Sequence, residues 1–163
     1  MHSHDHCCDH DHCEHKEHHH SPSQHHVEEA LEILKEAGYK HTNKRQRLVE
    51  ILNDANRYLS AKQVQELIAP EFPQLSYDTI YRNLYTFVQL NILEETEFNG
   101  EKLFRFRCQS HGHHHHFICE KCGSTKEIDM CPMDFFKEQL EGCEIHSHRF
   151  EIFGLCEKCA SKA

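Results

Sequence analysis

The stretch Ser76-Tyr77-Asp78-Thr79-Ile80-Tyr81-Arg82-Asn83-Leu84, continued through Val88, places apolar side chains at Ile80, Leu84, Phe87 and Val88. That spacing follows the 3.6-residue period of an amphipathic helix, and Ser76 offers an oxygen to cap its free N–H groups. Downstream, Glu94–Phe98 and Lys102–Arg107 flank Asn99-Gly100, the dipeptide best suited to a two-residue hairpin turn. Upstream the same period recurs three times. Val27, Ala30, Leu31 and Leu34 precede a stop at Gly38, and Thr42 can cap a second helix that buries Leu48, Ile51, Leu52 and Ala55. Ser60 with Gln63 forms a capping box for a third, which buries Val64, Leu67 and Ile68 before Pro70. Helices followed by a β-hairpin predict a winged helix-turn-helix over residues 27–107.

In such a motif the second helix of the pair enters the major groove and its outward residues read bases. The polar face of the Ser76 helix carries Asp78, Thr79, Arg82, Asn83 and Thr86, with Tyr81 at its border. Arg bonds guanine, Asn bonds adenine, and an aromatic ring packs on a thymine methyl. Lys44, Arg45 and Arg47, at the start of the second helix, can hold phosphates. Taken alone this is a solvated polar face; with the caps and the hairpin wing it reads as a DNA-binding surface.

Beyond residue 108 the texture changes to short strands among cysteines. His115–Cys119 and Lys126–Asp129 read as strands, Met133–Leu140 as a helix and Glu144–Phe153 as a long strand. Cys119 and Cys122, like Cys156 and Cys159, bracket Glu-Lys in an identical Cys-Glu-Lys-Cys turn. Two thiolate pairs complete the tetrahedron of a closed structural zinc site, with a redox dithiol as the lesser alternative. Just ahead stand His111 and His113, His114, His115 and His116. Alternate side chains of a strand share a face, so His114 and His116 can serve one ion while His113 and His115 point elsewhere, to another. Cys108 adds a soft ligand, which favours zinc over oxygen-preferring ions. Cys131 and Cys143 read as small buried hydrophobes, and His41 and His146 as solvated.

The composition agrees. The chain has 163 residues, 10 Cys and 19 His, with no Trp and 37% hydrophobic residues, so its core is modest and metal can reinforce it. Neither an apolar secretory core near the N-terminus nor a run near the ~18 residues of a membrane helix is present, so a cytoplasmic protein is expected. There, cysteines signal metal or redox chemistry more often than disulfides. The net charge of −9 divides into −4 over residues 1–26, −2 over 27–107 and −3 beyond. Acidity argues against general nucleic-acid affinity only mildly, because Lys40 to Arg57 is locally basic. Residues 1–26, with eleven His and three Cys (Cys7, Cys8, Cys13), cannot offset their chain entropy and read as a disordered tail. That tail is either a loose metal buffer or an idle extension.

The run His113-His114-His115-His116-Phe117-Ile118-Cys119-Glu120-Lys121-Cys122-Gly123, following Asp78-Thr79-Ile80-Tyr81-Arg82-Asn83-Leu84, resembles the ferric uptake regulator family. The resemblance covers about Val27 to Cys159. It implies an α+β fold: an N-terminal winged helix-turn-helix DNA-binding domain plus a small C-terminal α/β dimerisation domain over 108–163 with a four-cysteine zinc site, hinged about 108–112. It places Thr42, Arg45, Tyr81 and Arg82 on the DNA-binding motif. It also implies regulation by a metal held at the hinge. Cys at position 108 matches the zinc uptake branch; peroxide sensors carry Asp there, and iron regulators carry Glu at the position of Arg107. The His that iron and peroxide branches use before Ser60 falls at Tyr58, a poor ligand. Counting back as zinc regulators do makes Glu94 the fourth hinge ligand. A further family site falls on His113, His115, Asp134 and His148.

The expectation is therefore a zinc-responsive transcriptional repressor of metal-uptake genes, a homodimer on palindromic double-stranded DNA with zinc as corepressor. An iron- or peroxide-sensing member of the same family and a metal storage or chaperone protein are the alternatives. An enzyme is least expected, since the four-thiolate site leaves no open position for water and no nucleophile or paired-carboxylate motif accompanies the histidines. Neither a membrane nor a small organic substrate is implied.

Overall fold

The computed structural model describes residues 22–107 and 114–162. The tail reading for residues 1–21, the hinge around 108–112, and Cys108, His111 and His113 lie outside the described residues.

Helix α1 spans Pro22–Glu36 and so begins five residues before the apolar period does. Residues 22–26, read as part of the tail, are helical. Pro22 suits the first turn, where its missing N–H is not needed. The helix ends as expected: Gly38 sits at φ +85° and Tyr39 N–H donates to the Leu34 carbonyl at 2.9 Å. Helix α2, Asn43–Ala55, is capped by Thr42, whose side chain accepts from Arg45 N–H. Helix α3, Ala61–Ile68, starts on the Ser60–Gln63 capping box, and α4, Tyr77–Gln89, on Ser76. Strands β2, Leu93–Phe98, and β3, Glu101–Phe106, form the wing. Asn99 at φ +51° and Gly100 at φ +78° give its turn the two left-handed residues that match strand twist.

A two-residue strand β1, Leu59–Ser60, was not foreseen; it pairs with β3 to give the order β1-β3-β2. No periodicity can announce so short an element, which exists only because β3 offers it a free edge. The core lies where α2, α3 and α4 meet this sheet, with Leu48, Leu52, Val64, Ile68, Leu84, Phe87 and Phe104 wholly buried. Leu67, expected inside, is exposed. Val64 and Ile68 already occupy the narrow stripe that so short a helix can bury.

The second sheet contains β4, His115–Cys119, between antiparallel β5, Thr125–Ile128, and parallel β6, Glu151–Gly154. The expected long strand from Glu144 to Phe153 is realised only over Glu151–Gly154, and residues 144–150 stand exposed outside it. A strand can extend only as far as its neighbour provides ladder partners, and β4 ends at His115. Helix α5 is likewise shorter than expected, Met133–Lys137, followed by one 3-10 turn at Glu138–Leu140. A short α6, Glu157–Ala160, follows Cys156. No helix among the described residues is long and apolar enough to cross a membrane.

The two sheets meet through a small set of polar bonds. Tyr58 N–H donates to Gly123 O at 2.9 Å and Arg57 to Cys122 O at 3.0 Å. Thr96 bonds Glu151 at 2.8 Å, Arg149 reaches the Glu95 carbonyl, and Phe98 stacks on Phe153 at 5.2 Å. Gly123 permits the closest approach: its φ is +72°, and a Cβ there would stand 2.2 Å from Tyr58 O.

Two outcomes follow from this packing. Phe87→Ala is expected to cost about 3–5 kcal/mol in urea unfolding, as a wholly buried aromatic truncated to a cavity. Gly123→Ala is expected to speed hydrogen exchange at the Tyr58 amide while leaving Leu84, deep in α4, protected.

Candidate functional site

Three groups of donor side chains assemble around β4. The largest joins Cys119 at the end of that strand, Cys122 on the following turn, Cys156 after β6 and Cys159 in α6, with all four sulfurs within 4.8 Å of one another. The parallel register that pairs Cys119 with Gly154 brings the two Cys-x-x-Cys turns together. The turns are alike: Gly123 N–H bonds Cys119 O at 2.9 Å, and Ala160 N–H bonds Cys156 O at 2.8 Å. Burial resists charge on Cys119, but the backbone N–H groups of Cys156, Cys122 and Lys121 outweigh it and hold the thiol down to about 6. Cys159 is pushed the other way, up to about 12, first by its hydrogen bond with Cys156 and then by desolvation. Four thiolates so close repel one another unless a cation sits among them, so the donor set fits a tetrahedral metal ion.

The second group is His114, His116 and Glu127, again with donor atoms within 4.8 Å. His116 faces Glu127 across the β4–β5 ladder, and the rings of His114 and His116 lie 4.9 Å apart. His116 is buried, and its Nε2 has no hydrogen-bond partner. Burial, then the charge of Arg105, lowers its pKa to about 4. A neutral imidazole with an orphaned nitrogen is what a cation requires. Glu94, on the wing, lies beside this group and is acted on electrostatically by His114. In this state its carboxylate accepts from the Tyr58 hydroxyl at 3.3 Å and pairs with Arg105 at 3.3 Å. Burial raises its pKa, and the Arg105 charge opposes that rise. Arg105 is itself buried, stacks over the Tyr58 ring and donates to Thr125 on β5 at 2.7 Å.

The third group is His115, Cys131 and His148, within the same 4.8 Å limit. Here the structure departs from the expected set. Asp134 is exposed and ion-paired to Lys137 at 2.9 Å, while Cys131 stands half-buried against the histidines.

Helix α4 presents Tyr77, Asp78, Thr79 and Arg82 to solvent. Arg82 pairs with Asp78 at 3.0 Å, an exposed bond worth little and easily exchanged. Tyr77 and Tyr81 stack at 6.2 Å. Asn83 accepts from Arg45 Nε at 3.1 Å and donates to the Thr79 carbonyl, a bridge that fixes α2 against α4. Arg45 also bonds the Lys40 carbonyl. Arg47 is held by Glu71 at 2.6 Å and Glu50 at 3.2 Å, whereas Lys44 and Thr42 are exposed.

Residues 36–153 match the model of the ferric uptake regulator family. The chain belongs to that family. A ferric uptake regulation protein of Staphylococcus epidermidis is 46% identical over 135 residues, covering 83% of this chain and 96% of its own. That of Staphylococcus aureus is 48% identical over 131 residues, covering 80% and 96%. Among solved structures, the Helicobacter pylori ferric uptake regulator superposes with a TM-score of 0.65 at 20% identity, covering 86% of this chain and 95% of that one. A zinc uptake regulator complexed with zinc and DNA gives 0.64 at 20% identity, covering 88% and 98%. As a member of this family the chain is a metal-responsive, DNA-binding transcriptional regulator with an α+β fold and a four-cysteine cluster in its C-terminal part.

Of the side chains these donor groups bring together, Glu127 is not singled out in the sequence, and Cys131, read there as a small buried hydrophobe, is half-buried beside His148. Glu127 could have been found from strand pairing, because a hairpin closed at Cys122-Gly123 sets it opposite His116. Cys131 gives no local signal, being a single cysteine in an irregular link. Arg105→Met is expected to destabilise the chain by about 3 kcal/mol in thermal unfolding, since Glu94 is left without its cation. Adding Glu94→Gln should restore most of that loss.

Proposed function

We propose that this chain is a zinc-responsive repressor in which the group at the junction of the two sheets gates DNA binding. The observation that carries this reading is the buried, orphaned Nε2 of His116, set with His114 and Glu127 beside Glu94 of the wing. Two features of the chain support zinc in particular. Cys108 stands where the zinc branch of the family has Cys, and Tyr58 replaces a histidine; its hydroxyl is spent on Glu94. The ligand set proposed is Glu94, Cys108, His114 and His116, with Glu127 as a further acidic donor.

A zinc ion there supplies a positive charge and directional bonds to imidazole, thiolate and carboxylate. Glu94 belongs to β2, His116 to β4 and His114 directly precedes β4, so engaging them together joins the wing to the second sheet. Glu94 must then exchange its bonds to Arg105 and Tyr58 for the new partner. Cys119, Cys122, Cys156 and Cys159 hold a structural zinc that keeps β4, β6 and α6 together. Exposed Phe135, Phe136, Leu140, Ile152 and Leu155 offer an apolar surface that a second copy covers in a homodimer. With both winged units restrained, the spacing of the two α4 helices fits a palindromic operator. Metal-uptake genes are the expected targets, and the cytoplasm the place of action. Arg82, Thr79, Tyr81 and Asn83 face bases, and Thr42, Lys44, Arg45 and Arg47 serve the phosphates.

The names of the staphylococcal relatives favour a second reading, an iron-sensing regulator. Operator binding measured with zinc, iron(II) and manganese(II) in turn separates the two. Zinc is expected to tighten binding about tenfold or more, a gain of ~1.4 kcal/mol, and His116→Ala to remove that gain. Tightening by iron(II) alone rejects the zinc reading, and binding without sequence preference would point instead to metal storage. Arg82→Ala should cost about 1–3 kcal/mol and relax specificity, whereas Lys44→Ala should weaken all sequences alike and reduce the salt dependence.

A further inference from the structure

The group of His115, Cys131 and His148 draws its members from three separate segments. His115 is the first residue of β4, Cys131 lies on the link from β5 to α5, and His148 precedes β6. Cys131 Sγ stands 3.3 Å from His148 Nε2, and the rings of His115 and His148 are 5.2 Å apart. A structural cysteine would be packed among aliphatic side chains. This one is half-buried with an imidazole as its neighbour. Asp134, the carboxylate that the family resemblance assigns to this place, is three residues further along, on α5 with its side chain exposed and bound to Lys137.

We propose that Cys131, in place of Asp134, is a protein ligand here, so that this chain's site takes zinc through a thiolate together with the imidazoles of His115 and His148. The inference deepens the metal-responsive reading above and concerns a cluster other than the one assigned to gating. The donor chemistry decides the class of ion. A carboxylate accommodates manganese or iron(II); a thiolate with two imidazoles favours zinc strongly over both. The described donors come from three separate segments of the chain, so an ion held here joins them. It would also fasten the exposed segment 144–150, which has no ladder partner among the described residues, to β4 and to the link before α5.

Site-specific alkylation tests this on the full chain. Iodoacetamide modifies the thiolate, and peptide mass spectrometry reads Cys131 separately from the other cysteines. Zinc is expected to abolish modification of Cys131 in the wild type and in Asp134→Asn, but not in His148→Ala, while manganese(II) gives no protection. In native mass spectrometry Cys131→Ser should hold one zinc fewer per protomer than the wild type, and Asp134→Asn should hold as many. Unprotected Cys131 at saturating zinc overturns the proposal, as does a zinc lost from Asp134→Asn rather than from Cys131→Ser. Equal protection by manganese(II) overturns the assignment of ion class. Operator binding followed in parallel keeps the two readings apart: protected Cys131 with zinc-indifferent DNA binding would sink the gating scheme alone.

Discussion

The three donor groups among the described residues all depend on one five-residue strand. Because side chains alternate across a strand, β4 sends His116 to one face and His115 to the other, and at its end Cys119 turns into the sulfur cluster. His114, one residue before the strand, joins His116 on its face. A slip of one residue in the β4–β5 register would exchange the two histidine groups and separate His116 from Glu127. The register is pinned at both ends, by Cys119 N–H bonded to Ser124 O and by the pairing of His115 with Ile128. The donor clusters are thus consequences of one ladder rather than independent inventions.

That ladder communicates with the winged unit through very little. Tyr58 against Gly123, Arg57 against Cys122, Thr96 against Glu151 and Arg105 against Thr125 are nearly all polar bonds, each worth on the order of 1 kcal/mol net. A junction of this kind is stable enough to have a preferred arrangement and weak enough to give it up. Relative motion of two units across a small polar interface is the ordinary expectation. Differential binding of an ion to one arrangement is what moves a population across such a junction.

What could be read from the sequence was local. Thr42, Ser60 and Ser76 cap the helices they were assigned to, and Asn99-Gly100 makes the wing turn, because capping and turn chemistry depend on residues a few positions apart. The four cysteines were legible for the same reason, each pair being a local motif. What escaped required knowing which strand lies beside which. The reach of β6 is set by the length of β4, the existence of β1 by the free edge of β3, and the meeting of Cys131 with His148 by the path of two irregular links. Asp134 and Cys131 mark the limit: the acid lies exposed on α5 beside Lys137, while Cys131, which carries no local signal, is the one brought to His148.

Arg105 shows how a half-buried acidic side chain, here that of the proposed ligand Glu94, can be held charged by a neighbouring cation. A carboxylate at the position of Glu94, half-removed from water, would be unfavourable alone, and a protonated one would be a poor ligand. The guanidinium beside it favours the charged form against the effect of burial, and the same charge disfavours protonation of His116. One buried arginine thus prepares an acid and a base together, leaving a carboxylate that can be surrendered and an imidazole that is already neutral. The arrangement has a cost, since an incoming cation must approach a fixed positive charge. That cost falls on every cation alike in its Coulombic part, and is offset most by ions that gain strongly from nitrogen and sulfur donors. The resident arginine therefore raises the affinity that any divalent ion must bring, while the choice among ions rests with the donor atoms.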